Sequence, residues 1–229
     1  MVITNGIGAR EDFNQAARLF VAAFPNMTYD QILKDFKLTG SDLRLEQPTV
    51  ANSNQYLFPV MINIASTNVA NGSFNTEIRL NMQDIFLPMY VGFFLANPTS
   101  AVDTTYSLFT YVNQIAFPAA PLQQNAFYNG TLNISVNNTQ YIKGWMLRRH
   151  YMVPQTQQTA AFGAGSPGSD QLNGPDDGFY PLQPFVLISG NSNMQINVNL
   201  PAGPTSVDAF SRLVLVFRGL LAQNCTATT

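Results

Sequence analysis

Charge is what this sequence has least of. Of 229 residues, 11 are Lys or Arg and 13 are Asp or Glu, a charged fraction of 10 % where roughly a quarter is usual. Cysteine, histidine and tryptophan occur once each, as Cys225, His150 and Trp145. One cysteine cannot close an intrachain disulfide, and no Cys/His set exists for zinc, so a disulfide-stapled scaffold and a zinc module are both excluded. One histidine and scattered carboxylates leave few carriers for general acid–base work. The net charge of −2 and the pI near 5.2 supply no basic field for nucleic-acid phosphates. The longest apolar run falls short of the roughly 18 residues that span a bilayer. The opening MVITNGIGARED has no basic stretch leading into an apolar one, so no signal peptide is expected. The glycines from Gly163 to Gly168 open no helix and precede no lysine, so they make no phosphate loop.

Polarity comes from amides instead. The chain holds 23 Asn and 16 Gln, more than all its charged residues together. Amides keep a surface wet without long-range repulsion, and burying one in a hydrogen-bonded contact costs less than burying a charge. With 46 % hydrophobic residues, the chain can build a substantial core.

The apolar pattern has two periods. Phe13, Ala16, Ala17, Phe20 and Phe24 recur at helical spacing until Pro25. Thr28 and Gln31 fit a capping box opening a second short helix over Thr28–Leu38, with Gly40 at its end. Residues 1–42 therefore read as an N-terminal helical arm, either capping the domain or docking on a neighbouring subunit.

From residue 43 to 229 the period is two. Strands are expected at Tyr56–Ala65 (an edge, because of Pro59), Thr76–Ala96, Thr104–Val112, Leu132–Val136, Tyr141–Val153, Phe185–Ser189, Met194–Leu200 and Arg212–Leu221. Ser66–Asn75 reads as a loop, Phe117–Gln124 as irregular, Asn129-Gly130 as the hairpin turn and Asn137-Asn138 as a further turn. Pro- and Gly-rich residues 154–184 fit no period and read as a long loop, one that long being often functional. Thr76–Ala96 starts as an alternation in which Ile78, Leu80 and Met82 are apolar, then runs apolar from Ile85 to Leu95. Its second half is expected to be a central strand, with Pro88 and Gly92 at a bend or bulge. Many short strands without recurring βαβ spacing give an all-β fold, a β-sandwich of jelly-roll type behind the helical arm.

No residue is assigned a catalytic, cofactor-binding or metal-ligating role, and no cofactor is expected. His150 lacks a sequence-readable partner, Asp176-Asp177-Gly178 offers too few oxygens for a hard cation, and Glu77 with Arg79 reads as a surface pair. Arg148 and Arg149 on one strand would point to opposite faces. Tyr141, Trp145 and Tyr151 share a register and could form either core packing or an aromatic strip for sugars.

The stretches SDLRLEQPTVANSNQYLFPV (41–60), TEIRLNMQDIFLPMYVGFFLA (76–96) and LNISVNNTQYIKGWMLRRHYMVPQTQ (132–157) together resemble structural virion proteins of bacteriophages of the Bacteroidetes type. The resemblance implies a jelly-roll-like core and no catalytic residues. It implies a capsid or auxiliary capsid protein located in the virion after synthesis in the host cytoplasm, with copies of itself and other capsid proteins as partners. It gives no membrane span and no specific nucleic-acid site. The competing expectation is a β-sandwich module binding carbohydrate or a cell surface through Trp145, Tyr141 and Tyr151.

The alternation in Thr76–Ala96 predicts that Leu80→Asp abolishes soluble folded protein while Arg79→Ala leaves the fold intact. Circular dichroism of the purified variants checks it, and equal loss in both would reverse the assignment of faces.

Overall fold

The computed structural model describes residues 14, 18–21, 24, 28, 30–31, 37–60, 80, 84–101, 103, 106–118, 121–153, 178–190 and 192–223. They form two antiparallel sheets packed face to face as a β-sandwich. The nine strands are β1 (Lys37–Pro48), β2 (Gln55–Pro59), β3 (Ile85–Ala96), β4 (Thr131–Val136), β5 (Thr139–Met146), β6 (Phe179–Pro181), β7 (Ile188–Ser189), β8 (Met194–Asn199) and β9 (Arg212–Gln223). The first sheet has the order β1-β9-β3-β6, with β7 also on the β6 side of β3; the second has the order β2-β8-β4-β5.

The strands of the second sheet alternate. Tyr56 and Phe58 of β2, Leu132, Ile134 and Val136 of β4, and Met194, Ile196 and Val198 of β8 are buried, and the residues between them are not. They meet Leu43 and Leu45 of β1, Val91, Phe93 and Leu95 of β3, and Leu213, Leu215 and Phe217 of β9 in one core between the sheets. Leu80 lies in this core too, 2 % exposed, which puts it on the face its alternation predicts.

β3 and β9 follow another rule, since both of their faces are covered. All of β3 except Tyr90 is buried. Its second face carries Ile85, Leu87 and Met89 against Phe20 of the N-terminal helical residues, beside Leu38 and Ala222. Further along, Phe94, Ala96, Val214 and Val216 are covered by Tyr106, Leu108 and Phe179. A strand buried on two sides needs apolar residues without alternation, as IFLPMYVGFFLA and RLVLVFRGLLAQ supply.

β9 pairs with β1 from Lys37↔Gln223 to Pro48↔Arg212 and with β3 from Ile85↔Ala222 to Ala96↔Arg212. The second ladder has one bulge. Pro88 faces Gly219 and Tyr90 faces Arg218, leaving Met89 as the extra residue. A Cβ at Gly219 would meet the backbone of Leu87, so only glycine allows this approach. Pro88 thus marks the bulge, whereas Gly92 marks a packing gap: a Cβ there would stand 2.5 Å from the Phe94 ring and 2.9 Å from that of Phe179.

Several expectations are corrected. The sheet begins at Lys37, inside the span 1–42 given to the arm, and Gly40 is a β1 residue opposite Leu220 rather than a helix terminator. Thr28 and Gln31 do make the reciprocal capping bonds, Thr28 N to Gln31 Oε1 at 2.7 Å and Gln31 N to Thr28 Oγ1 at 3.3 Å. Asn129-Gly130 is not the hairpin turn: Asn129 ends a 3-10 turn, Asn125–Asn129, which follows one helical turn at Pro121–Gln124 in the span expected to be irregular. The β4–β5 hairpin turns at Asn137 and Asn138, with φ of 49° and 65°. Two left-handed asparagines suit a two-residue turn whose twist matches the strands.

The described part of the expected strand Thr104–Val112, residues 106–112, forms no strand. Within it Phe109 alone bridges to Leu95, because the free edge of β3 is already shared by β7 and β6. Phe185–Ser189 pairs only at Ile188–Ser189, and Tyr141–Val153 is a strand only to Met146. β6 lies within the span expected to be loop. Ile78, Met82, the Ser66–Asn75 loop and residues 154–177 lie outside the described residues.

Two glycines test this arrangement. Gly219→Ala forces β3 from β9 and destabilises by about 1–3 kcal/mol or more. Gly40→Ala, with open space at its Cβ, stays within about 0.5 kcal/mol. Urea unfolding of both variants measures the difference, and equal effects would contradict the placement of the bulge.

Candidate functional site

The two outer faces of the sandwich differ. On the first sheet the chain itself covers much of β3 and β9, while Gly40, Asp42 and Tyr90 stay exposed. The second sheet's carries the rows Gln55–Asn199–Thr131, Leu57–Asn197–Asn133 and Pro59–Gln195–Ser135 across β2, β8 and β4. All nine are uncharged, and Leu57 in the middle row is 53 % exposed. Asn133 accepts the Gly144 N–H on β5 at 2.8 Å, so the amides tie neighbouring strands as well as face outward.

A second feature lies where β5 ends. The chain leaves Met146 into a 3-10 turn, Leu147–His150. Leu147 and His150 point inward, while Arg148 and Arg149 are exposed. Trp145 Nε1–H donates to His150 Nε2 at 3.1 Å. An accepting Nε2 is unprotonated, so the proton of the neutral ring sits on Nδ1 and is donated to the Gly178 carbonyl at 2.7 Å. The His150 ring stands edge-on to Tyr180 at 5.2 Å. One imidazole thereby ties the edge strand β5 of one sheet to β6 at the edge of the other. Burial is the main cause that lowers its pKa to about 4, with Arg149 adding to the effect and the Gly178 bond opposing it. Outside this staple, the Arg148 guanidinium lies over the Tyr151 ring at 4.3 Å and Arg149 over Trp145 at 4.6 Å.

This placement corrects the strand reading of the two arginines. They sit in a 3-10 turn, each on its own aromatic ring. Tyr141, Trp145 and Tyr151 form no common strip either. Tyr141 is 46 % exposed, Trp145 and Tyr151 pack partly on the core, and the turn separates Tyr151 from the two on β5. Glu77, Arg79, Asp176, Asp177 and Cys225 lie outside the described residues. Among the described residues no three of His, Cys, Asp and Glu come together to hold a metal.

The sequence reading missed a cluster on the first sheet. Glu46 forms an ion pair with Arg44, whose Nε lies 2.7 Å away, and accepts from Arg212 Nη1 at 3.2 Å and from the Tyr106 hydroxyl at 2.6 Å. Arg212 also donates to the Ala101 carbonyl at 2.9 Å. Burial first, and the Glu46 carboxylate second, push the Tyr106 pKa up to about 12. The cluster fixes the segment around Tyr106 over the outer face of β9. Arg44 and Glu46, two apart on one strand face, were its only local signal; Arg212 and Tyr106 arrive from far along the chain. Likewise Gln124 Nε2 donates to the buried carboxylate of Asp208, a pair separated by 84 residues.

No family model, curated protein or solved structure matches this chain.

His150 predicts a specific acid response. Its folded pKa lies below the unfolded value, so the unfolded state binds the extra proton first as pH falls. The stabilisation is complete above about pH 6.5 and is lost as pH falls toward 4, by on the order of 2–3 kcal/mol. Urea unfolding at pH 7 and pH 4.5 reads the loss, and His150→Gln, which cannot titrate, shows less of it. An equal pH dependence in both proteins would mean that carboxylates alone account for it.

Proposed function

We propose that this chain is a non-enzymatic structural subunit of a bacteriophage virion, assembling in many copies as or on the capsid shell. The strand order carries the reading. With β6 and β7 counted as one edge position, the first sheet takes the first, last, third and sixth strands, and the second takes the second, seventh, fourth and fifth. Every connection crosses between sheets except the β4–β5 hairpin and the β6–β7 link. This order supports a jelly-roll core, an architecture that recurs in viral capsid and lectin domains. The resemblance of residues 41–60, 76–96 and 132–157 to phage virion proteins selects the capsid among those uses.

The uncharged outer face of the second sheet supports the same reading. Amides and Leu57 can be buried against a neighbour without stranding a charge, and repetition of a modest contact over a closed assembly adds its strength up. The glycan-binding alternative is weakened at Trp145, whose ring is covered by Arg149 and so offers a sugar less stacking surface.

Sedimentation and negative-stain microscopy of the purified chain test the proposal, with oligomers, shells or binding to the intact particle as the expected result. A chain that stays monomeric at every concentration and binds no capsid overturns it. The double change Leu57→Glu, Asn197→Arg on the bare face should leave the unfolding free energy within about 0.5 kcal/mol per site while blocking assembly. Retained glycan-array hits that vanish in Tyr141→Ala would favour the binding-module reading.

A further inference from the structure

Charge is unevenly placed along this chain. Between Asp103 and Asp170 the only charged residues are Lys143, Arg148 and Arg149, all basic, while all thirteen acids and the other eight bases lie outside that stretch. The three basic residues are exposed, Lys143 within β5 and Arg148 and Arg149 just beyond its end. Arginines elsewhere in the sandwich meet carboxylates: Arg44 and Arg212 meet Glu46, and Arg218 meets Asp42. Among the described residues no carboxylate reaches Arg148 or Arg149. Their guanidinium carbons instead lie over the rings of Tyr151 and Trp145, and those rings are held by the core, by Tyr128 at 5.1 Å and by His150. A guanidinium resting on a fixed ring has lost much of its side-chain freedom already, which lowers the entropy cost of a later contact. No described residue is seen to take its N–H edge, and that fork fits a carboxylate.

We propose that the Arg148–Arg149 corner, with Lys143, docks onto surface carboxylates of a second copy of this chain in a head-to-tail contact. The inference rests on the assembling-subunit reading and names a partner surface within it. Charge complementarity selects the occupant, because the rest of the chain carries five more acids than bases. The ring faces that could have stacked on nucleic-acid bases are occupied by the guanidinium groups themselves, so a carboxylate fits better than a single strand. Such a contact joins two different patches, and a heterologous contact of this kind propagates into rings or lattices.

The experiment compares wild type, R148E/R149E and R148K/R149K by sedimentation at low and high salt. It also couples mixed isotopically light and heavy copies with a carbodiimide, which joins lysine to carboxylate. The expected results are light–heavy cross-links from Lys143 to an Asp or Glu, assembly weakened by salt, and association reduced roughly tenfold or more in R148E/R149E. The Lys pair should lose less than the Glu pair, and all three proteins should share one thermal midpoint. Wild-type assembly that R148E/R149E leaves unchanged overturns this contact while the assembling-subunit reading stands. Monomers in every protein and condition overturn both. A fluorescent single-stranded oligonucleotide bound by wild type and released by R148E/R149E, with assembly unaffected, replaces the second copy with nucleic acid and also overturns the proposal.

Discussion

The pairing of β3 with β9 is the constraint on which the rest of the structure depends. Both strands are long and nearly free of polar residues, and their ladder ties both faces of the first sheet to the core. On one side lies the sandwich interior; on the other lie Phe20 and the segment around Tyr106. The bulge at Met89 is held open by Gly219, where a side chain would collide with the Leu87 backbone. It shifts the register between Pro88 and Tyr90, so that Tyr90, the one exposed residue of β3, starts the short pairing with β6. β6 in turn brings Gly178 and Tyr180 to His150.

The outer sides of the two sheets are built differently. The chain's own segments cover much of β3 and β9, whereas the second sheet presents uncharged rows of amides around Leu57. Uncharged rows of this kind can be buried against another surface without stranding a charge.

The corner at the end of β5 combines a buried neutral histidine with two exposed arginines. The histidine joins the two sheet edges. Its two ring nitrogens serve as acceptor from Trp145 and donor to Gly178, and that pairing is available only to the neutral ring. Arg149 takes its place from the staple, since Trp145 is held by His150 and carries it, while Arg148 rests on Tyr151. Part of a basic surface is thus set by an interior hydrogen bond, which couples its geometry to the state of the sandwich edge.

The local period of the chain determined the all-β class, the alternating strands Leu132–Val136 and Met194–Leu200, the doubly buried run from Ile85, the edge position of Pro59 and the capping box at Thr28. These are short-range properties: a side-chain period of two and a hydroxyl three residues from an amide act within a few residues. What the tertiary structure alone decided was which β-prone segments found an edge to pair with. Thr104–Val112 has strand propensity but meets a β3 edge already shared by β6 and β7, so it bridges at Phe109 and otherwise covers the sheet. Asn129-Gly130 has the stronger turn signal, yet the hairpin forms at Asn137-Asn138, because β4 must present Leu132, Ile134 and Val136 to the core before turning. The contacts of His150 with Gly178, Glu46 with Arg212 and Gln124 with Asp208 join distant residues, and no local pattern encodes them. A strand's face is fixed by its own residues, but its neighbours are fixed by competition for a limited number of sheet edges.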